Sequence, residues 1–170
     1  MAIEFTNPQR FKNSPVSGSF VTKDGKPIRL ILRGVLLPFG IQSYGDKDSV
    51  VATLTREETE VRDQLTELFK KAEAYWPEVA LKPVVNETAK YGDQLRINLN
   101  HETTFWHGPN EPAEKKVFEN RVRADLMFDV NMVWLRGKEG GISLKMRQMK
   151  FLEVVGSSQS VTVEAPSCDL

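Results

Sequence analysis

Hydrophobic and polar residues alternate along the longer apolar stretches of this chain. The clearest stretch covers residues 122–134, where every second residue from Val122 onward is apolar. Residues 28–33 and 94–99 show the same period of two. This period places one face of a β-strand on the core and the other in water. Because each strand then keeps one wet face, the pattern predicts antiparallel rather than parallel sheet.

The alternation changes phase partway through WLRGKEGGISLKMRQMKFLEVVG, residues 134–156. Ile142, Leu144 and Met146 are apolar in one phase, whereas Met149 and Phe151 carry the apolar pattern in the other. One extra residue in a strand, a β-bulge, produces such a slip, and barrels use bulges to turn corners. We therefore predict a bulge here. A glycine at position 34 interrupts the first alternating strand and predicts a second bulge or a sharp bend.

One segment, residues 55–78, has helical periodicity instead. Thr55 and Glu58 have the spacing of a capping box, and Pro77 marks the end of the helix. Tyr75 and Trp76, just before this proline, are interpreted as packing residues. The apolar stripe at helical spacing consists of Val61, Leu65, Leu68, Phe69 and Ala72.

Together these elements predict a mainly β fold of five to seven strands with one helix. The turn signals KDGKP and RGKEGG predict two hairpins. The simplest architecture is OB-fold-like, a five-stranded, partly open antiparallel barrel with one helix inserted between strands. A β-sandwich or jelly roll is the alternative. We expect residues 1–155 to form a single OB-like nucleic-acid-binding domain and the polar residues 156–170 to form a flexible C-terminal tail.

Charge is unevenly distributed although the formal net charge is zero. Residues 1–50 and 121–155 each carry seven Lys/Arg against four Asp/Glu, while residues 51–80 carry four against seven. The basic excess therefore lies in the predicted strands, and a neutral chain can still present a basic face to a polyanion. The N-terminal residues lack an apolar signal-peptide core and no run is long enough to span a membrane, so we expect a cytoplasmic location.

Candidate catalytic and metal-binding groups are sparse. The single cysteine, Cys168, lies in the predicted tail, and His101 and His107 do not have zinc-ligand spacing with it. Asp125 and Asp129 lie on one predicted strand, where solvated or ion-paired side chains are favoured over metal binding. Phosphate-binding glycine motifs are missing from the sequence. We therefore predict a non-enzymatic protein without cofactor or metal.

Basic, polar and aromatic residues are interleaved on several predicted strands and their flanking loops. Cations can follow the phosphates of a single nucleic-acid strand, while aromatic faces stack on unpaired bases. The pattern therefore favours single-stranded nucleic-acid binding. The candidate binding residues are Arg29, Arg33, Tyr44, Tyr91, Arg96, Asn98, Phe105, Trp106, Arg121, Arg123, Trp134, Lys145 and Arg147.

Two motifs resemble virus-encoded single-stranded DNA-binding proteins, especially those of tailed phages. In the last hairpin of that family, a strand ending near an aromatic residue is followed by a Lys/Gly turn and then Gly-[IVA]-S-[LV]-x-[LM]-x-x-[VM]. KYGDQLRINLNHETTFW resembles an earlier strand of the same family, and the resemblance covers residues 20–155. The matching hairpin positions here are Trp134, Lys138, Gly141, Ile142, Ser143, Leu144, Met146 and Met149.

This resemblance implies a non-catalytic OB-fold protein that coats single-stranded DNA without sequence preference, with RNA possible, during replication, recombination and repair, in the cytoplasm of a viral host. It also implies that Lys145 and Arg147 lie beside the phosphates. An acidic C-terminal tail recruits replication or recombination proteins in the family; here it would comprise Glu164, Asp169 and Leu170. Two alternatives stay open: a β-sandwich structural module such as a virion component, and a metal-dependent nuclease or recombination enzyme.

Overall fold

The computed structural model describes residues 3–55, 59–88 and 92–155 and shows a mainly β protein. These residues form thirteen strands, a helix α1 (Thr59–Tyr75) and a short 3-10 helix at Lys115–Phe118. The strands are β1 (Ile3–Phe5), β2 (Gln9–Arg10), β3 (Ser17–Lys23), β4 (Ile28–Leu37), β5 (Gln42–Tyr44), β6 (Lys47–Leu54), β7 (Ala80–Leu81), β8 (Val85–Thr88), β9 (Gly92–Leu99), β10 (Thr104–Gly108), β11 (Glu111–Pro112), β12 (Val122–Arg136) and β13 (Glu139–Val154).

Five of the long strands pair in a closed circuit. β4 pairs β6, β6 pairs β9 and β12 pairs both β4 and β13, all antiparallel. The circuit closes through a single parallel bridge between Lys145 of β13 and Asn98 of β9. The predicted mainly β class is confirmed, but the expected count is wrong, because short strands outside the circuit extend the sheet to thirteen.

The alternating apolar residues of the circuit point inward and form one core. Leu32, Leu95, Ile97 and Phe128 are fully or almost fully buried in this cluster. The predicted helix is present, and its stripe of Val61, Leu65, Leu68 and Ala72 is buried against the sheet, while Phe69 is half-buried. Each fully buried leucine or phenylalanine contributes about 2 kcal/mol to folding.

The helix is anchored at its end by aromatic packing, as predicted. Phe5 of β1 lies 5.1 Å from the Tyr75 ring centroid and 5.0 Å from that of Trp76. Thr55 precedes the described helix, but the proposed capping partner Glu58 lies outside the described residues.

Both predicted bulges are present. On β13, Arg147 is the extra residue between the pairs Met127↔Gln148 and Phe128↔Met146, so Met146 and Met149 can both point into the core. At the other edge of β12, Arg33 and Gly34 together face Asp125, and Gly34 has φ +63°. This backbone conformation costs a residue with a Cβ about 1–2 kcal/mol, which explains glycine there.

The bulge at Asn131 was not predicted. Asn131 is an extra residue on β12 between the pairs Val130↔Leu144 and Met132↔Ser143. The strand changes phase there, so Val133 is buried while Met132 and Trp134 are only half-buried. The prediction of one unbroken alternation from 122 to 134 is therefore wrong beyond residue 130.

The predicted hairpin around KDGKP is also wrong. Lys23 and Lys26 exchange backbone hydrogen bonds across a tight turn, but β3 and β4 do not pair beyond it. Both strands instead pair antiparallel with β12 along the same edge, β4 beside residues 122–130 and β3 beside residues 132–135. β12 is long enough to pair with both in succession. The second predicted hairpin, β12–β13, is confirmed by the pairing of Arg136 with Glu139.

No helix within residues 3–55, 59–88 and 92–155 is both long and apolar enough to cross a bilayer.

Candidate nucleic-acid interface

The side chains that point away from the core on β4, β12 and β13 form one continuous surface. The registers set Arg29 beside Asp129, and Asp129 beside Lys145. In the next row across the same three strands, Ile31 lies beside Met127, and Met127 lies beside Gln148. We call this surface the outer face, defined by Arg29, Ile31, Arg33, Arg123, Asp125, Met127, Asp129, Lys145, Arg147, Gln148 and Lys150.

Asp129 holds two cations from the strands on either side of it. Arg29 of β4 donates from Nε to Oδ1 at 2.8 Å and from Nη2 to Oδ2 at 3.3 Å. Arg147, the bulge residue of β13, places Nε 3.7 Å from Oδ2. The hydrogen bond and charge of Asp129 raise the pKa of Arg29 above its ordinary value. Asp129 is only 8% exposed, and its carboxylate fixes the Arg29 guanidinium by hydrogen bonds while holding Arg147 at ion-pair distance.

Asp125 repeats this arrangement four residues away. Its Oδ1 accepts a hydrogen bond of 2.8 Å from the backbone N–H of Gly34. Gly34 is a bulge residue of β4, so the bulge fixes the position of the carboxylate. Its Oδ2 lies 3.9 Å from Arg33 Nη1 and 3.9 Å from Lys150 Nζ. These distances are too long for hydrogen bonds, so both cations keep their donors available. The predicted ion pairing of Asp125 and Asp129 is confirmed.

An open groove lies over the Asp125 end of the outer face. Its volume is about 200 Å³, and Trp106 of β10 forms one side of it. Parallel pairing with β13 sets Trp106 beside Lys150, and the indole Nε1 donates to Thr104 Oγ1 at 2.9 Å. The groove is lined by Ile31, Arg33, Trp106, Gly108, Pro109, Asp125, Leu126, Met127, Gln148 and Lys150.

Sequence reasoning included Arg33 and Trp106 but missed the other groove residues. Ile31 is 43% exposed between two outward arginines, and its outward phase on β4 was readable from the alternation. The predicted phase slip already turned Gln148 and Lys150 outward, but it could not show which strands lie beside them. Trp106 joins the groove only through parallel pairing of strands distant in sequence.

The other cations of the outer face also have carboxylate partners. Lys145 donates to Glu102 Oε1 at 2.8 Å, which lowers the pKa of Glu102. Arg123 lies 3.6 Å from Glu153 and donates to the Gly34 carbonyl at 3.3 Å. Six cations of this surface thus contact four carboxylates. The outer face keeps a small positive excess, and the ion pairs hold its cations in place.

Two further predicted residues continue this surface onto β9. Asn98 is bridged to Lys145 through the backbone, and Arg96 donates to Ser49 Oγ at 2.8 Å. The remaining predicted residues lie elsewhere. Tyr44 is 75% exposed at the tip of the β5–β6 hairpin. Arg121 is exposed just before β12, and its backbone carbonyl accepts a hydrogen bond from the Val155 N–H.

Two predicted aromatic residues are used for internal packing. Phe105 packs against buried Phe118 with the rings tilted and their centroids 5.5 Å apart. Trp134 lies so close to Gly141 that an added Cβ would be 2.8 Å from the indole Nε1, and Lys82 Nζ is 5.8 Å from the ring centroid. The predicted binding residue Tyr91 and the tail residues Glu164, Asp169 and Leu170 lie outside the described residues.

The candidate catalytic groups do not converge. His107 packs edge-on against Phe151 at 5.6 Å, His101 is exposed, and both aspartates are engaged by cations. In the described parts of the chain, no three His, Cys, Asp or Glu residues are arranged to hold a metal ion. No family model matches this chain, and no curated protein or solved structure matches it. Function is therefore inferred from the outer face.

Proposed function

We propose that this chain is a non-catalytic, sequence-tolerant single-stranded DNA-binding protein whose outer face carries the strand. The observation that carries the proposal is the groove beside Trp106, open to solvent and flanked by Arg33 and Lys150. An aromatic side chain at the edge of a surface of cations is the arrangement that single-stranded nucleic acid uses, since bases stack while phosphates meet positive charge.

The row of cations extends the surface beyond the groove. Residues 125 and 129 are separated by about 13 Å along β12, and each carboxylate there holds a pair of cations. A strand that enters at Trp106 would therefore meet Arg29 and Arg147 next. Because these cations are already ordered by Asp129, less side-chain entropy is lost when they contact a phosphate.

We also propose that the closed circuit is an OB-type barrel, extended by the shorter strands. An OB-fold is a five-stranded Greek-key barrel that binds oligonucleotides. The circuit β4–β6–β9–β13–β12 supports this proposal through its number of strands and its parallel closure between β9 and β13. The helix enters between the second and third strands of the circuit.

The resemblance to phage proteins extends the proposal to a biological role. A viral protein of this kind coats exposed single strands during replication, recombination and repair in the host cytoplasm. The C-terminal Glu164, Asp169 and Leu170 are proposed to contact replication or recombination proteins. Removing residues 156–170 should abolish such contacts while leaving oligonucleotide binding in place, as a pull-down and a titration of the truncated chain would show.

Intrinsic tryptophan fluorescence during titration with oligo(dT), at about 50 and about 300 mM salt, tests the proposal. Quenching that saturates at low salt is expected, because Trp106 borders the groove. With three phosphate contacts, affinity should fall about 40-fold between these salts. If tryptophan fluorescence changes at neither salt concentration, duplex DNA also causes no change and the protein is oligomeric, the proposal is overturned in favour of a structural module.

Charge reversal locates the interface. Lys145→Glu combined with Arg147→Glu should weaken oligo(dT) binding and flatten its salt dependence, because two cations of the outer face become repulsive. The matched control, Lys70→Glu with Lys71→Glu, changes the same charge at exposed positions on α1 and should leave binding and its salt dependence nearly unaltered. Equal effects of the two pairs would place the strand elsewhere.

A further inference from the structure

We propose that the groove reads one base, and that it prefers thymine, or its methyl-free form uracil, over cytosine. This inference rests on the proposed single-stranded DNA binding and deepens it. At about 200 Å³, the groove is smaller than the roughly 300–1,000 Å³ that drug-sized ligands occupy. It therefore suits a single planar ring rather than a whole nucleotide.

The groove combines apolar and polar surfaces in a way that suits a base. Ile31 and Met127 are adjacent across β4 and β12 and form an apolar floor. Trp106 supplies an aromatic side, which can contact the ring of an unstacked base. Ile31 lies outside the core cluster and is 43% exposed, so its apolar surface is available to a ligand.

Three side chains in the groove form an ordered hydrogen-bonding array. Across β4, β12 and β13, the order is Arg33, Asp125 and Lys150. Within the described ranges Asp125 Oδ2 accepts no hydrogen bond, and both cations lie 3.9 Å from it. The array is thus donor, acceptor, donor, with each member available to a ligand.

Thymine and uracil present the complementary order on their pairing edge. O4 accepts, N3–H donates and O2 accepts, so each group meets its opposite in the array. Cytosine presents an amino donor next to two acceptors, which sets its N3 acceptor against the Asp125 carboxylate. Adenine and guanine also place a donor against a cation. A matched set of contacts of this kind discriminates about tenfold or more between bases.

The test compares oligo(dU) with oligo(dC) of equal length, at pH 8 and about 150 mM salt, by competition against a labelled oligo(dT). Both are pyrimidine strands without the methyl group, so the size of the ring and the methyl contact are held constant. We expect oligo(dU) to bind about tenfold more tightly. Absence of binding by either strand would defeat the proposed function itself, whereas equal binding of both would overturn only the base preference.

Asp125→Asn tests the source of the preference. The Gly34 N–H must still donate to an oxygen, so the amide nitrogen is forced into the position of Oδ2, where it donates instead of accepting. The preference for oligo(dU) should then disappear. Asp129→Asn is the matched control, because Asp129 lies on the same strand as Asp125, outside the groove, and also contacts two cations. It should alter the affinity for both strands by the same factor.

A chemical probe keeps the test independent of protein stability. Methylation at N3 of uracil removes the N–H donor without changing either carbonyl. If Asp125→Asn fails to fold, the wild-type chain should still bind N3-methylated oligo(dU) about tenfold more weakly than oligo(dU). Equal affinities for these two strands, or a preference that survives in folded Asp125→Asn, would overturn the assignment of Asp125.

Discussion

Each end of β12 has a tryptophan with a lysine beside it, but the two tryptophans differ in whether their rings border an open groove. At one end Trp106 lies beside Lys150, and at the other Trp134 lies beside Lys82. Positions 125 and 134 are separated by about 30 Å along the strand. Trp106 lines an open groove, whereas Trp134 lies against Gly141. An aromatic residue with a neighbouring cation therefore forms a candidate site only where its surface stays open.

Replacing each tryptophan with alanine should give the largest difference between the two ends of β12. Trp106→Ala should weaken oligo(dT) binding about tenfold or more, since one base stack contributes about 1–3 kcal/mol. Trp134→Ala should leave affinity within about twofold and lower the free energy of unfolding by about 2 kcal/mol, because it removes packing on Gly141. Anisotropy of a labelled oligonucleotide and chemical denaturation measure the two quantities. If Trp134→Ala stays folded but loses binding, the binding site lies at the Trp134 end rather than at the Trp106 end.

Removing cations at each end should give the next largest difference. Arg29→Ala with Arg147→Ala, on the groove side of β12, should reduce the slope of log affinity against log salt by about 1.4, because a strand that leaves the groove meets these two cations and each phosphate contact to a single strand contributes about 0.7. Lys82→Ala with Lys138→Ala removes the same charge at the Trp134 end and should leave the slope unaltered. Titrations at four salt concentrations give both slopes, and equal slopes for the two double variants would argue for a diffuse interface.

Two glycines with positive φ separate fold stability from binding. Gly34 lies at the groove end with φ +63°, and Gly137 lies in the β12–β13 turn with φ +62°. Alanine at either position should cost about 1 kcal/mol, since neither added Cβ meets an atom within 4 Å and only the backbone is strained. Only Gly34→Ala should also weaken binding, by about threefold, because Gly34 N–H fixes Asp125. Thermal unfolding and the same oligonucleotide titration measure both effects; weaker binding in Gly137→Ala would contradict this.

The smallest expected effect lies between the two ends, at the pair of Lys145 and Glu102. Lys145 lowers the pKa of Glu102 below its ordinary value of 4.5. The pair is therefore intact above about pH 4.5 and is lost as the pH falls through the lowered pKa of Glu102. At pH 7, Glu102→Gln should raise affinity for oligo(dT) about twofold by releasing Lys145. As the pH is lowered from 4.5 through the lowered pKa of Glu102, the gain should shrink because wild-type Glu102 becomes protonated; a gain independent of pH would exclude this pair as its cause.

Much of the fold followed from local pattern. The helix stripe of Val61, Leu65, Leu68 and Ala72, the β12–β13 hairpin and the bulges near Gly34 and Arg147 were all predicted, because periodicity and turn chemistry act over a few residues. The bulge at Asn131 was missed, since apolar residues continue in both phases around it. The KDGKP hairpin was wrong because a turn signal cannot report that another strand will pair with both of its arms.

Alternation alone was enough to predict which residues face outward on β4 and on the first part of β12, including Arg29, Ile31 and Arg33. Which of these residues meet depends on how the strands pair in the folded sheet. Asp125, Lys150 and Trp106 come from three strands joined by long-range pairing, and one of these pairings is parallel. The physical reason is that alternation fixes the direction of a side chain, whereas register and strand order fix its neighbours. The outer face was therefore readable residue by residue, but the groove was not.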